Sequence, residues 1–182
     1  MKITPLDIPD VLLIEPMVFE DDRGFLFESF NLNKFKEITS LDVSFVQDNH
    51  TKSFKGVLRG LHYQTPPHAQ GKIVRVIQGE VFDVAVDIRK SSPTFGKYVT
   101  QILSAENKKQ IWIPKGFAHG FLTLSKYSEL LYKITAPYCK DYEKSIHWND
   151  PLIDIHWPKT NNLIISDKDR LAKNLDGIYF EK

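Results

Sequence analysis

The chain has 182 residues, long enough to bury a sizeable core without disulfide or metal staples. Its 24 lysines and arginines nearly balance 23 acids, and a net charge of +1 gives no electrostatic reason to expect nucleic acid or an anionic membrane as partner. A single cysteine, Cys139, excludes an intramolecular disulfide, and no apolar stretch approaches the roughly 20 residues of a membrane-spanning helix. In chain order, the opening Met1-Lys2-Ile3-Thr4-Pro5 lacks a basic segment followed by an apolar run, so a cytoplasmic protein is expected. Asn31 to Ile38 reads as a short helix, with Asn31 or Asn33 as N-cap. Gly56 to Gln64 reads as extended; simple alternation puts Leu58, Gly60 and His62 on one face and Arg59, Leu61 and Tyr63 on the other. Ile73 to Ile77 and Val81 to Ile88, joined at Gln78-Gly79-Glu80, read as a hairpin. Within the second run, Phe82, Val84, Val86 and Ile88 share one face, and Val81, Asp83, Ala85 and Asp87 the other. Further strands are expected at Tyr98 to Leu103, Gln110 to Ile113, Gly120 to Leu124 and Glu129 to Ala136, separated by turn-forming residues. After Asp150-Pro151 the pattern fades into an irregular segment too short for a second domain, so one domain over 1–182 is expected. That segment carries a second short helix, Asp167 to Lys173, with Ser166 as cap. Many short, closely spaced strands indicate an antiparallel sandwich or jelly-roll barrel.

Two segments concentrate side chains that could do chemistry. The first is Gly56-Val57-Leu58-Arg59-Gly60-Leu61-His62-Tyr63-Gln64 and the second Ile113 through Phe121, with His119 between small residues. Histidines on the strands of a small β-barrel first suggest a metal site, because imidazole is the commonest metal ligand. A metal-binding barrel, however, usually supplies a close His-x-His pair and a nearby glutamate. His62 is instead followed by Tyr63-Gln64, and the next histidine is His68. No metal is therefore expected. Gly56 and Gly60 are too isolated to form a phosphate-binding glycine loop, which argues against a Rossmann or P-loop site.

Six further landmarks follow in order: Phe19 through Glu28, Val46 through Ser53, Val57 through Gln64, Gln70-Gly71-Lys72, Ile113 through Phe121, and Ser166-Asp167-Lys168-Asp169. Together these motifs resemble the dTDP-4-dehydrorhamnose 3,5-epimerase family, and the resemblance spans about Asp10 to Asp169. Thr51, where the family often has serine, and the tail after Arg170 are the looser places. The resemblance implies an all-β, cupin-like jelly-roll barrel with short flanking helices. It implies a homodimer acting on a dTDP-linked 4-keto-6-deoxysugar, with no metal or organic cofactor.

The implied chemistry accounts for the residue types. Both C3–H and C5–H of a 4-keto sugar are acidified by the ketone. Inversion needs a base on one face, an acid on the other, and a positive group at the enolate oxygen. The ketone is the electron sink, so no hydride carrier is required. The resemblance makes His62 the base, oriented by Asp169, Tyr132 the acid, and Lys72 the group at the enolate oxygen. Asp83 is a second candidate to orient His62. Arg23, Arg59 and Lys168 suit a diphosphate, and Gln47, Asp48 and Asn49 fall in the motif expected to meet thymine or sugar. Glu28, His119 and Glu143 are expected to line the ligand, and Tyr138 to stack on the base. The alternatives are a relative inverting only one carbon, a metal-dependent cupin enzyme, and a sugar-binding barrel without catalysis. A binding protein would not need an acid and a base.

Overall fold

The structure, a computed structural model, describes residues 1–176. Along the chain run β1 (Lys2–Pro5), β2 (Leu12–Glu15), β3 (Val18–Asp21), β4 (Gly24–Phe27), α1 (Leu32–Thr39), β5 (Gln47–Phe54), β6 (Val57–Gln64), β7 (Lys72–Gln78) and β8 (Glu80–Asp87). They are followed by β9 (Tyr98–Ser104), β10 (Gln110–Ile113), β11 (Phe117–Thr123), β12 (Tyr127–Ile134), β13 (Glu143–Ser145), β14 (Ile164–Ile165) and α2 (Asp167–Arg170). The first sheet has the order β1-β2-β10-β7-β12-β5. The second has the order β13-β6-β11-β8-β9, with β14 added parallel to β6. The two sheets face each other in a jelly-roll arrangement, as expected, but among the described residues they stay two hydrogen-bonded sheets rather than one closed barrel. β3 and β4 pair only with each other.

The period-two pattern of β8 explains how three layers arise. Val81 and Ala85 face inward against Val74 and Val76 of β7, Ile111 and Ile113 of β10, and Leu130 of β12. Val84, Val86 and Ile88 point the other way, where Ile146, Ile153, Ile155 and Leu175 cover them. The irregular C-terminal segment is therefore the lid of an otherwise bare apolar face. On the opposite side, Phe35 of α1 packs edge-on against Trp112 and beside Ile14 and Ile73. Asn31 caps α1 by accepting from Lys34 N–H at 3.1 Å.

Two expectations are corrected here. β7 and β8 are not a hairpin: β7 pairs with β10 and β12, while β8 pairs with β11 and β9. Both strands are largely buried. Each takes a central place with two partners, and Gly79, at φ +75°, turns the chain from one sheet into the other. The C-terminal helix ends at Arg170 rather than Lys173. Lys173 is claimed by a bridge to Ile146, and Leu175 is drawn into the outer core while its N–H bonds Asp150. No helix among the described residues is long and apolar enough to cross a membrane.

Candidate active site

The expected face assignment in β6 fails at one place, and that failure builds the site. His62 pairs with His119 and Arg59 with Phe121, so three steps on β6 match two on β11. One extra residue reverses the alternation, and Arg59 and His62 line the same cleft. Gly60 makes the bulge possible. It sits at φ +125°, and a Cβ there would lie 2.5 Å from Gly120 Cα and 2.8 Å from the His119 carbonyl oxygen.

The cleft has two lobes that share His62, Lys72 and Tyr132. One, of about 160 Å³, adds Thr51, Arg59, His119 and Phe121 to these three. The other, of about 230 Å³, adds Gln47, Asn49, Gln64, Gln70, Tyr138 and Glu143. His62 belongs to the second sheet and Tyr132 to the first, so the two come from opposite walls.

Each group is held differently. His62 Nε2 donates to Asp169 Oδ1 at 2.6 Å, and Asp169 Oδ2 accepts Gly60 N–H at 3.3 Å. Ser166, the cap of α2, fixes Asp169 by accepting its N–H at 3.1 Å. Burial pushes the Asp169 carboxyl up, but the bonds from His62, Gly60 and Ser166 outweigh it and hold it below its ordinary value. Asp83 does not orient His62. It points into the inter-sheet core and accepts from His119 Nε2 at 2.9 Å, which corrects that alternative. Lys72 is buried, and its Nζ lies 3.5 Å from the His62 carbonyl oxygen. Desolvation brings its pKa down to about 8, against the opposing pull of Asp83 and Glu143. Burial raises the Tyr132 phenol, opposed by Arg59 and assisted by Glu143. The phenol therefore keeps its proton at neutral pH.

In the lobe that holds Gln47 and Tyr138, Gln47 Oε1 accepts Tyr138 N–H at 3.1 Å and Gln64 Oε1 accepts Cys139 N–H at 2.7 Å. The side chains of Tyr138, Glu143 and Lys168 form one chain: Tyr138 OH donates to Glu143 Oε2 at 3.0 Å, and Lys168 Nζ lies 2.5 Å from the same oxygen. Burial raises Glu143, but its bonds from Lys168 and Tyr138 prevail and lower it. Arg59 is braced by Ser53 Oγ at 3.0 Å.

Comparison with known proteins gives this arrangement its context. The model of the family described as dTDP-4-dehydrorhamnose 3,5-epimerase matches residues 5–177. The chain belongs to that family. It is 59% identical to the dTDP-4-dehydrorhamnose 3,5-epimerase of Shigella flexneri, over 99% of each chain. It is also 59% identical to that of Pseudomonas aeruginosa, over 95% of each. Among solved structures it resembles the dTDP-6-deoxy-D-glucose-3,5-epimerase of Legionella pneumophila in complex with dTDP-4-keto-L-rhamnose. There the TM-score is 0.95 and the identity 51%, covering 97% of this chain and 94% of that one.

Set against family membership, the placement of the expected residues is uneven. His62, Lys72, Tyr132, Arg59, His119, Gln47, Asn49, Tyr138 and Glu143 all line the cleft, Asp169 stands behind His62, and Lys168 is bound to Glu143. Asp48 does not line it. β5 alternates, so Gln47 and Asn49 face inward while Asp48 turns outward to Lys133 at 2.9 Å. Arg23 and Glu28 also lie outside the cleft of their own chain: Arg23 is paired with Asp21, and Glu28 with Lys34 and Asn31. Residue-by-residue reading missed Thr51 and Phe121. Each stands two positions from a chosen residue on the same strand, so strand periodicity could have found them.

Proposed function

We propose that the chain inverts C3 and C5 of dTDP-4-dehydro-6-deoxy-D-glucose, yielding dTDP-4-dehydro-L-rhamnose, by proton transfer through an enolate. The activity, 3,5-epimerisation in dTDP-rhamnose biosynthesis, follows from family membership. The roles of the side chains are our reading of the geometry. The carrying observation is that His62 and Tyr132 face one cavity from opposing sheets, with buried Lys72 common to both lobes. His62 removes the proton α to the ketone. Asp169 holds the imidazole in one orientation and stabilises the imidazolium that forms. The electron pair moves onto the C4 oxygen, where the Lys72 ammonium offsets the developing charge. Tyr132 then delivers a proton to the other face of the same carbon. Because the ketone itself accepts the electrons, this sequence calls for no metal or organic cofactor. The lobe lined by Gln47, Asn49 and Tyr138 suits the nucleotide, and Arg59 a phosphate.

We further propose a homodimer. The β3–β4 hairpin pairs with neither main sheet, yet exposes Phe19, Phe25 and Leu26 at 61%, 60% and 74%. A two-stranded hairpin presenting that much apolar surface is stabilised by a partner. Arg23 and Glu28 on this arm would then reach a partner's cleft. Light scattering tests it, and a monomer at working concentration counts against it.

The direct test is incubation with dTDP-4-dehydro-6-deoxyglucose in deuterated water, followed by NMR. The expected product carries one deuteron at C3 and one at C5, with both centres inverted. Labelling and inversion at a single carbon would reduce the activity to a mono-epimerase. No exchange at either carbon overturns the reading.

A further inference from the structure

Asp83 is a buried titratable group that the reaction above does not use. It lies on β8, facing the inter-sheet core beside Val81 and Ala85, and is 0% exposed. A buried carboxylate needs partners for both oxygens. Oδ2 has His119 Nε2 at 2.9 Å, whereas Oδ1 is buried without a hydrogen bond among the described residues. Lys72, on the opposing sheet, has the complementary deficiency: among the described residues its ammonium makes only the long 3.5 Å contact to the His62 carbonyl. A half-satisfied anion and an under-bonded cation therefore share one apolar core, where charges are little screened.

We propose that Asp83 is a positioning residue: its carboxylate is the fixed counter-charge that keeps Lys72 an ammonium ion in the cleft, while its bonded oxygen holds His119 alongside. This rests on the role given to Lys72 above. The charged and titratable groups facing Lys72 are Arg59 and His62 from β6, Asp83 from β8, His119 from β11, Tyr132 from β12 and Glu143 from β13. Arg59, and either histidine when protonated, disfavours the ammonium; Asp83 and Glu143 favour it. Asp169, behind His62, is engaged by the imidazole. Glu143 is shared with Lys168 and Tyr138 near the cleft mouth. Asp83 is thus the fully buried counter-charge. If its only task were to orient His119, an asparagine with the same acceptor oxygen would serve as well.

That difference is the test. Asp83→Asn keeps the size and the acceptor for His119 but removes the charge. Lys72 ionises at about 8 in the unsubstituted protein, so kcat should fall as pH rises through that value. In Asp83→Asn this alkaline limb should move down by about one unit or more, since an adjacent opposite charge shifts a pKa by one to three units. At pH 8.5 the variant should lose about tenfold or more in kcat, with the gap narrowing toward pH 6.5, and dTDP affinity should be unchanged. Asp83→Glu, which restores the charge, should bring the limb partly back. A uniform loss at every pH with an unmoved limb overturns the proposal and leaves Asp83 structural. Should Asp83→Asn not fold, His119→Ala, which has no donor for the carboxylate, makes the test with opposite sign. Released from the imidazole, the carboxylate acts on Lys72 alone and the limb moves up; a limb that stays overturns the proposal. An unsubstituted protein without epimerase activity would instead sink the parent reading.

Discussion

The Asp169 carboxylate accepts a 2.6 Å hydrogen bond from His62 although 107 positions separate the two residues. The C-terminal segment closes that distance. β14 pairs parallel with β6 at Ile164↔Val57 and Ile165↔Leu58, and Ser166 then starts the single turn that carries Asp169. Covering the apolar outer face and completing the site are done by the same stretch of chain.

Asp169→Asn should therefore disable the base without disturbing the ligand lobes. The amide keeps the shape but cannot stabilise an imidazolium, and it permits the wrong tautomer. We expect kcat to drop by about 10²-fold or more, within the range of general acid–base groups. Binding of dTDP, followed by calorimetry, should persist. A loss of less than about threefold in kcat would show that His62 works without this partner.

Tyr132→Phe separates deprotonation from inversion. The base remains, so the α-carbons still exchange with solvent, but the far face has lost its donor. In deuterated water the recovered substrate should carry label while inverted product falls by about 10² to 10⁴-fold. Free inversion in this variant would mean that water or another group protonates that face, and Tyr132 would be core lining only.

Gly60→Ala probes the bulge. The new methyl would lie 2.5 Å from Gly120 Cα, on backbone that cannot give way cheaply, and φ +125° is unfavourable for alanine. We expect a stability loss of about 2 kcal/mol or more. Because Arg59 and His62 flank this residue, kcat should fall with it. Thermal melts and kinetics read both effects. An unchanged melting temperature would mean that β6 and β11 separate there at little cost.

What could be read from the sequence depended on whether a feature was local. The alternation of Val81 through Ile88 gave both faces of β8 correctly, and Asn31 and Ser166 marked both helix starts. The pairing of β7 with β10 and β12 was hidden, because a glycine turn looks the same whether it closes a hairpin or crosses between sheets. The β6 bulge was hidden too. It arises from the close approach of Gly60 to Gly120, which lie on separate strands, and only there does Arg59 join His62. The partner of Asp83 likewise depends on the β8–β11 register, in which Ala85 pairs with His119 and Asp83 with Phe121.

A last prediction concerns acid stability. Asp87 is fully buried; it accepts from Arg89 Nε at 2.9 Å, Arg89 Nη2 at 2.7 Å, Ser92 Oγ at 2.5 Å and Thr94 Oγ1 at 2.6 Å. Burial alone would raise its pKa, but these bonds prevail and hold it below the ordinary aspartate value. For a carboxyl with a depressed folded-state pKa, the stabilisation is fully present above the unfolded value and disappears as pH falls through the folded one. Asp87→Asn removes the buried anion of Arg89 and leaves it only the half-exposed Asp10, at 3.1 Å. The loss at pH 7 should be about 3 kcal/mol, or roughly 10 °C in Tm for a chain of this size. As pH falls through the lowered folded-state pKa of Asp87, the unsubstituted protein loses the same contribution. The two melting curves should therefore converge in acid. A difference in Tm that stays constant from pH 7 down to the acid-unfolding limit would mean that the charge on Asp87 contributes nothing, and that its hydrogen-bonding shape alone holds the loop.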